Sequence, residues 1–571
     1  MTASRGNCRD WLNYSICAVL CLCMLVLGIW AAAPAAGAGS AVSAADDQHW
    51  PQWRGPVGTG VAPAGNPPVE WGETKNVKWK VKIPGEGTAT PIVWGDRVFI
   101  QAAVPTGKRV EAAAAQPGSR PADANRPLAD SERPQAGSSS LVARMLDRFD
   151  ANKDGKFSRA EVSEGTLRGI FDRMIEQHKL DAEKTYTREE LEKVLGVTAS
   201  AGNSPGGNAP GSNPPGGNPP EGPQQDRRGG GGGRGTRPTE AFQFVLMCLD
   251  RQTGKVLWQQ VAREEVPHEG HHNDGSFASS SPVTDGEHVF AYFGSRGLYC
   301  FDMTGKLEWS QDFGDQRITN TFGEGSSPTL AGDAIIVKWD HEGESFIIAL
   351  DKKTGRTLWR KPRDERTSWS TPLVVEHSDK RQVVTTASNR VRSYDLASGE
   401  LIWECGGMTR NVIPTPVAGP GMLYAISGHQ GSSLLAIRLG RTGNLTGTDA
   451  IAWEHHKSTP YVPSPLLYGD RLYFFASNNA ILTCFDVQSG RPVIGAQRLG
   501  ELQGVYASPV GAAGRVYLVG RNGATLVIKD ASKLEVLATN RLDDRLDASP
   551  AVAGNELFLR GRTQLYCIAE Q

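Results

Sequence analysis

The chain has 571 residues, of which 39% are hydrophobic and 22% are charged, and its formal net charge is −1. This is an ordinary globular composition, and the length is enough for a large domain or for several domains. The near-neutral charge shows no basic excess, so the composition does not predict a nucleic-acid partner. The high contents of glycine (66) and proline (35) favour a turn-rich, all-β fold with low-complexity segments.

The N-terminus, residues 1–45, has the layout of an export signal. Two arginines precede an uncharged apolar run over residues 16–30, and small residues follow it over residues 31–45. This order is typical of a secretory signal peptide. The alternative is an uncleaved membrane anchor, because residues 16–33 are just long enough to span a bilayer. Both interpretations predict an extracytoplasmic, for instance periplasmic, location for the rest of the chain.

A Ser/Thr-Pro step followed by an apolar strand recurs along the chain. After the first interval, the steps are 41–49 residues apart. The prolines of these steps are Pro91, Pro282, Pro328, Pro372, Pro416, Pro465, Pro509 and Pro550. Each step is followed by a turn, a second apolar run, and a strand that ends in Asp in most units. In several units a Thr/Ser-Gly turn and a strand with Trp follow, and Leu249 to Trp258 is the first example.

These repeats predict an all-β, eight-bladed β-propeller. Each unit is a small antiparallel sheet of short strands, and it cannot bury both of its faces alone. Radial packing of neighbouring units buries these faces and leaves only short edges. The last unit, which begins at Ser549, lacks its Trp strand. Residues 77–81 (Val-Lys-Trp-Lys-Val) have the pattern of that strand, so we expect them to complete the last blade and close the ring.

The Asp…Thr-Gly-Lys-x-x-Trp signature resembles that of the quinoprotein-like (pyrroloquinoline-quinone) repeat family. The opening Trp-Pro-Gln-Trp-Arg-Gly-Pro, residues 50–56, is similar to that of exported bacterial propellers distantly similar to the outer-membrane assembly scaffold BamB. The resemblance covers residues 50–571 apart from an insertion. It implies either a scaffold or a quinone-dependent dehydrogenase. Many of the family's dehydrogenases have a disulfide between adjacent cysteines, and this sequence has no adjacent cysteine pair.

The first interval between steps, from Pro91 to Pro282, is 191 residues long, so an insertion interrupts the first blade. Its two ends are rich in Ala, Pro, Gly and Ser and are predicted to be linkers. The middle is helical in periodicity. The predicted division is propeller start 50–104, linker 105–139, helical EF-hand domain 140–197, linker 198–239 and remaining propeller 240–571.

Residues 150–161 match the EF-hand calcium loop Asp-x-Asn-x-Asp-Gly-x5-Glu at every position. Calcium prefers six to eight oxygen ligands, which this spacing supplies from one loop. The predicted ligands are Asp150, Asn152, Asp154, the carbonyl of Lys156, Ser158 through water, and Glu161. A second loop, residues 179–190, has Glu190 at the closing position but Lys184 in place of glycine. We expect it to bind no metal and to pair with the first loop.

Residues 268–274 (His-Glu-Gly-His-His-Asn-Asp) are the densest group of candidate transition-metal ligands. Their spacing suits a zinc site with two histidines and a carboxylate, and the alternative is an ordinary polar loop near the axial mouth of the propeller. No catalytic residue is assigned. The sequence therefore predicts an exported calcium-binding scaffold, rather than an enzyme, that recognises a protein or an envelope polymer; the alternative is a quinone-dependent dehydrogenase.

Overall fold

The computed structural model describes residues 48–109 and 235–570, together with the backbone of two short segments at 156–157 and 185–187. The chain divides into two compact units, Met1–Ala115 with Gly230–Gln571, and Gln116–Gly229. The first unit contains eight sheets of at least four strands. Within the described residues, no helix is long and apolar enough to cross a membrane.

The eight sheets are called blades 1 to 8 in chain order, and the four main strands of each blade are called a to d. Blade 1 contains Ile92–Trp94, Arg97–Arg109, Glu240–Asp250 and Val256–Glu265, and blade 2 contains Val283–Thr284, His288–Tyr292, Leu298–Asp302 and Leu307–Gln311. Blade 3 contains Thr329–Ala331, Ala334–Trp339, Ser345–Asp351 and Thr357–Arg363, and blade 4 contains Leu373–His377, Lys380–Thr386, Val391–Asp395 and Leu401–Cys405. Blade 5 contains Val417–Gly419, Met422–Ser427, Ser433–Arg438 and Ile451–His455, and blade 6 contains Leu466–Tyr468, Arg471–Phe475, Ile481–Asp486 and Pro492–Arg498. Blade 7 contains Val510–Ala512, Arg515–Val519, Ala524–Lys529 and Val536–Arg541, and blade 8 contains Ala551–Ala553, Glu556–Arg560, Gln564–Ile568 and Val77–Lys82.

Burial decreases from the middle strands of each blade to the outer strand, strand d. In blade 3, all six residues of strand b, Ala334–Trp339, are buried, whereas strand d, Thr357–Arg363, has exposed residues between buried ones. Strands b and c lie between two neighbouring blades, so both of their faces are covered and most of their residues are buried and apolar. Contacts between the a strands of blades 1 and 2, and of blades 8 and 1, place strand a at the centre.

The ring closes through the N-terminal strand. Val77–Lys82 pairs antiparallel with strand c of blade 8, Gln564–Ile568, with Lys80 opposite Tyr566. This confirms the prediction that residues 77–81 complete the last blade. The eight-bladed, all-β architecture is also confirmed. Because the first and last parts of the chain share one sheet, neither can leave the fold without opening the ring.

The signature tryptophans join neighbouring blades. Five of the six d-strand tryptophans lie against the turn glycine of the next blade, and a Cβ added to Gly305 would lie 2.8 Å from the indole of Trp258. Such pairs are Trp79 with Gly254, Trp258 with Gly305, Trp309 with Gly355, Trp359 with Gly399, and Trp453 with Gly490. The sixth, Trp403, donates instead to Gln382 Oε1 of its own blade. All five glycines have φ between 65° and 91°. Both the close approach and the positive φ require glycine.

Each of these five indoles also donates a hydrogen bond to the next blade. The bonds are Trp79 Nε1 to Arg251 O (2.8 Å), Trp258 to Met303 O (3.2 Å), Trp309 to Lys352 O (3.0 Å), Trp359 to Leu396 O (2.9 Å) and Trp453 to Val487 O (2.9 Å). A buried indole therefore keeps its polar group satisfied while its ring fills the space between the blades. This inter-blade contact, the tryptophan latch, explains the Asp…Thr-Gly…Trp signature.

The N-terminal segment supports blade 7, where the strand register places Ala538 at the position of the tryptophan. Val61–Ala62 adds a parallel strand to strand a of this blade. Farther along, the backbone N–H of Trp71 donates to Asn540 Oδ1 at 2.8 Å, and its ring lies 6.3 Å from that of Tyr517. These contacts cover blade 7 with residues that precede the first repeat.

The insertion leaves blade 1 between strands b and c. These two strands pair beyond residue 104, up to Arg109 opposite Glu240, because the extra residues continue the same antiparallel ladder. The helices predicted within 140–197, the side chains of the predicted calcium ligands and the export signal lie outside the described residues. In the inserted unit the structure describes one short ladder, with Lys156 opposite Thr187 and Phe157 opposite Tyr186.

We expect the change Trp79→Ala to destabilise the propeller by about 3–5 kcal/mol, because Trp79 is 8% exposed and forms the latch that closes the ring. The control is Leu537→Ala, since Leu537 lies at the bulge beside the tryptophan position in strand d of blade 7 and is 38% exposed. Urea unfolding of both variants measures the difference. Equal losses in the two variants would contradict the latch.

Candidate axial binding site

The segment that opens the described chain crosses the axis of the propeller. The backbone N–H of Trp50 donates to the carbonyl of Val93 in blade 1 at 2.8 Å. Only three residues later, Trp53 Nε1 donates to Thr415 Oγ1, just before blade 5, at 3.2 Å. Blades 1 and 5 lie opposite each other in an eight-membered ring. The segment therefore closes the central channel on one side.

Arg54 anchors this closure. Its guanidinium donates to the carbonyls of Pro509 (2.8 Å), Pro465 (2.7 Å) and Thr59 (3.0 Å). The residue is 2% exposed, and burial lowers its pKa to about 9, so it remains charged at neutral pH. A Cβ on Gly60 would come 2.2 Å from the guanidinium, and Gly60 has φ of +90°. Only glycine fits at this position.

The Ser/Thr-Pro steps form a chain of hydrogen bonds around the channel. Each backbone N–H donates to the hydroxyl oxygen of the next step, and the pairs are Thr90 to Ser281, Ser281 to Ser327, Ser327 to Thr371, Thr371 to Thr415, Thr415 to Ser464, Ser464 to Ser508, and Ser508 to Ser549, all at 2.9–3.1 Å. The following proline restricts each of these residues to extended conformations, which gives the hydroxyls a common orientation. Among the described residues, Thr90 Oγ1 has no hydrogen-bond partner, so the chain of bonds is interrupted between blades 8 and 1.

Above these hydroxyls lies a cavity of about 290 Å³. Its aromatic lining consists of Trp53, Phe322, Trp369, Tyr461 and Tyr506. Its polar lining includes His272, Asp274, Glu324 and Asp547, together with seven step hydroxyls from Ser281 to Ser549. No lysine or arginine is among the lining residues. Because Trp53 belongs to the closing segment, the cavity is a recess with a floor.

Two lining carboxylates share arginines that lie outside the cavity. Arg521 and Arg545 both donate to Asp274 Oδ1, and Tyr506 Oη donates to Asp274 Oδ2 at 3.0 Å. Arg521 Nε also donates to Asp547 Oδ1 at 2.7 Å, and its guanidinium carbon lies 3.8 Å from the ring centroid of Tyr506. Burial raises the pKa of Asp547, against the opposing charge of Arg521. The arginines thus offset the negative charge of both carboxylates from outside the cavity.

Glu324, which also lines the cavity, is held by the short turn after strand b of blade 2. It accepts hydrogen bonds from the backbone N–H (2.6 Å) and the hydroxyl (2.7 Å) of Ser295. Arg296 Nη1 lies 3.2 Å from its Oε1. Burial raises the pKa of Glu324, and the charge of Arg296 opposes the rise.

A buried charge network positions Trp369. Arg363 Nε donates to Asp340 Oδ1 at 2.7 Å, Lys338 Nζ donates to Ser368 Oγ at 2.6 Å, and Ser368 Oγ donates to Asp340 Oδ2 at 2.7 Å. Burial opposes ionisation of Asp340, but the charges of Arg363 and Lys338 outweigh it and hold the pKa of Asp340 below its ordinary value. Since Ser368 precedes Trp369, this network fixes the backbone from which the indole projects.

The predicted histidine cluster does not form a metal centre in the described structure. His268 Nε2 lies 2.7 Å from the carbonyl of Gln316, His271 Nδ1 lies 2.8 Å from the carbonyl of His272, and His272 Nδ1 accepts from the backbone N–H of Asp274. These nitrogens have separate partners and do not converge. The polar-loop interpretation fits this geometry, and its position at the axial mouth agrees with the lining role of His272 and Asp274.

Sequence analysis did not identify the aromatic lining. Trp369, Tyr461 and Tyr506 lie two or three residues before their Ser/Thr-Pro steps. An aromatic residue at this offset is the signal that could have identified the lining. Each step faces the channel, and the loop before it forms the wall of the cavity. Glu324 and Asp547 lie at the same offset, three residues before Ser327 and two residues before Ser549, so the same positional signal applied to them.

The change Asp340→Asn is expected to destabilise the protein by about 3–5 kcal/mol, because it leaves Arg363 and Lys338 buried without their counter-charge. Glu400→Gln is the control, since Glu400 forms an exposed ion pair with Lys361 and should contribute at most about 1 kcal/mol. Urea unfolding measures both. A loss for Asp340→Asn no larger than that of the control would rule out the network as a structural support.

Comparison with known proteins agrees with the repeat analysis. Residues 243–495 match the family model of the outer membrane protein assembly factor BamB. Similar solved structures include BamB from Moraxella catarrhalis, which is 15% identical, covers 58% of this chain and 93% of its own, and has a TM-score of 0.41. The designed Ika8 protein is 12% identical, covers 59% of this chain and 97% of its own, and has a TM-score of 0.40. Quinohemoprotein alcohol dehydrogenase from Comamonas testosteroni is 10% identical, covers 59% of this chain and 75% of its own, and has a TM-score of 0.41. None of the curated proteins matches. The chain thus carries an eight-bladed propeller whose central repeats are similar to the BamB family.

Proposed function

We propose that this chain is an exported scaffold of the cell envelope that recognises a protein or an envelope polymer. The observation that carries the proposal is the recess on the propeller axis, which has a fixed floor, aromatic walls and balanced charges. A rigid concave surface of this kind suits binding, because little freedom is lost when the partner docks. The similarity of residues 243–495 to an assembly-factor family supports the same role.

Sedimentation with washed envelopes of the source cells tests this function. We expect saturable binding of the purified chain, because the recess and its rim form one specific site. Treating the envelopes with protease distinguishes a protein partner from a polymer, since only a protein partner would be lost. Binding that rises linearly without saturation, or no binding to treated and untreated envelopes alike, would refute the scaffold.

Calcium binding by the inserted unit is a second part of the proposal. Asp150, Asn152, Asp154, Ser158 and Glu161, with the carbonyl of Lys156, supply the ligands of one complete loop. The ladder that pairs Phe157 with Tyr186 supports this assignment. Each of these residues is the eighth of its predicted twelve-residue loop, and paired EF-hands join their loops at this position. Calcium is proposed to order the insertion within blade 1 and so to regulate access to the propeller.

Calcium titration of Glu161→Gln is expected to show at least about a tenfold loss of affinity, because the change removes the charged bidentate ligand. Glu190→Gln is the matched control, since it alters the same position of the second loop, and its affinity should equal that of the unaltered chain. The expected dissociation constant of that chain is about 10⁻⁴–10⁻³ M. Limited proteolysis with and without calcium provides an independent measurement. Unchanged calcium uptake by Glu161→Gln, or identical cleavage of residues 140–197 in both conditions, would contradict the proposal.

A quinone-dependent dehydrogenase is the alternative function, and the lining residues do not fit its cofactor well. Pyrroloquinoline quinone carries three carboxylates, whereas the cavity presents three carboxylates of its own and no lysine or arginine. The five cysteines of the described chain are free, buried and located in five different blades. None of these five can form the disulfide between adjacent cysteines that many of the dehydrogenases carry.

Titration with pyrroloquinoline quinone in millimolar calcium is therefore expected to give no saturable change in absorbance or fluorescence. The Glu161→Gln chain serves as the control that separates the inserted loop from the propeller axis. Tight binding by both proteins would replace the scaffold with the dehydrogenase, because the ring centre would then hold the cofactor without the inserted loop.

A further inference from the structure

We infer that the axial cavity binds the terminal sugar unit of a neutral saccharide chain. This inference rests on the proposed function, because it specifies which envelope polymer the scaffold recognises. It depends on four properties of the cavity: aromatic faces, free hydroxyl donors, a carboxylate oxygen without a hydrogen bond, and a closed floor. The first three properties match a pyranose ring, which has an apolar C–H face and a rim of hydroxyls that both donate and accept. The floor limits the ligand to the end of a chain.

The aromatic side chains are held by their polar ends, so they offer ring surface to a ligand. Trp53 Nε1 donates to Thr415, Trp369 Nε1 donates to the carbonyl of Gly323 at 2.7 Å, and Tyr506 Oη donates to Asp274. The two indole N–H groups are therefore not available to a ligand, and the Tyr506 hydroxyl retains only its acceptor lone pairs. What remains is the apolar surface, which packs well against the C–H face of a sugar ring.

The seven step hydroxyls supply hydrogen-bond donors. Each of them accepts a backbone N–H, and within the described residues none donates its own proton to a protein acceptor. All seven line the cavity. A hydroxyl carries one proton and two lone pairs, so these protons are available to acceptor oxygens of a ligand. Sugar hydroxyls and ring oxygens are such acceptors.

Asp547 supplies a hydrogen-bond acceptor for the hydroxyl protons of a ligand. Its side chain is 3% exposed and lines the cavity, and its Oδ2 accepts no hydrogen bond in the described structure. Arg545 Nε lies 2.9 Å from this oxygen, but the orientation of the two groups does not make a hydrogen bond. Arg545 Nε and Arg562 Nε (3.7 Å) balance its charge, and its free lone pair would accept a sugar hydroxyl once a small rotation of the carboxylate exposes it.

Charge and shape limit the ligand further. An anionic ligand would meet Asp274, Glu324 and Asp547 without a cation in the lining, and a cationic ligand would compete with the arginines that already pair with them. A neutral ligand avoids both costs. The volume of about 290 Å³ and the floor formed by Trp53 admit the end of a chain, not its middle.

Intrinsic tryptophan fluorescence and calorimetry with the purified full chain test the inference. The probes are glucose, galactose, mannose and N-acetylglucosamine, each as the methyl glycoside and as a disaccharide, with glucuronic acid as the charged counterpart of glucose. The variants are Trp369→Ala, Trp369→Phe, and the control Trp94→Ala, since Trp94 stacks on His49 outside the cavity. Melting curves establish that each variant is folded.

We expect saturable binding of at least one neutral probe and none of glucuronic acid. Trp369→Ala should weaken this binding at least about tenfold, whereas Trp369→Phe retains a ring face and should lose only about twofold to threefold. Trp94→Ala should bind like the unaltered chain. Absence of binding by every neutral probe, preferential binding of glucuronic acid, or equal effects of Trp369→Ala and Trp94→Ala would overturn the inference.

The same variants separate this inference from the proposed function. If the chain sediments with envelopes and Trp369→Ala sediments equally well, the saccharide site is wrong and the scaffold stands. If neutral saccharides bind but envelopes do not retain the chain, the scaffold is wrong and the cavity assignment stands.

Discussion

The tryptophan latch joins one blade to the next, and the rest of the structure depends on it. An indole from strand d lies on a glycine of the following blade and donates its N–H to a carbonyl there, as Trp258 does with Gly305 and Met303. Each blade alone would expose apolar faces on both sides. At five of the eight junctions the latch fixes how far and at what angle the next blade packs. Its last instance, Trp79 on Gly254, connects blade 8 to blade 1.

The axial cavity is a consequence of this ring. The Ser/Thr-Pro steps hold the inner strands together by hydrogen bonds from backbone N–H groups to hydroxyls, and the same hydroxyls face the channel. The Ser/Thr-Pro steps therefore both link the inner strands and supply hydrogen-bond donors to the channel. The N-terminal segment adds the floor, since Arg54 binds the carbonyls of two inner strands and positions Trp53.

Charge in the cavity is arranged in two layers. The carboxylates of Asp274 and Asp547 reach the cavity surface, while Arg521 and Arg545 contact them from outside. Pairing of this kind keeps buried carboxylates from being isolated charges. It also leaves the cavity surface polar while balancing the charge of its carboxylates.

The sequence by itself determined the eight repeats, the strand that closes the ring and the place where the insertion interrupts blade 1. These features are periodic or local, and a repeated pattern of steps, turns and tryptophans gives each of them directly. The complete ligand set of residues 150–161 is also a purely local pattern, and its calcium remains a prediction.

Only the tertiary structure decided which side chains share the cavity. Asp274, Trp369 and Asp547 come from segments far apart in the sequence and meet at the axis because the ring brings every preceding loop to one mouth. The histidines of residues 268–274 show the reverse case. They are adjacent in the chain, but their nitrogens diverge to separate partners, since side-chain direction is set by packing and not by spacing.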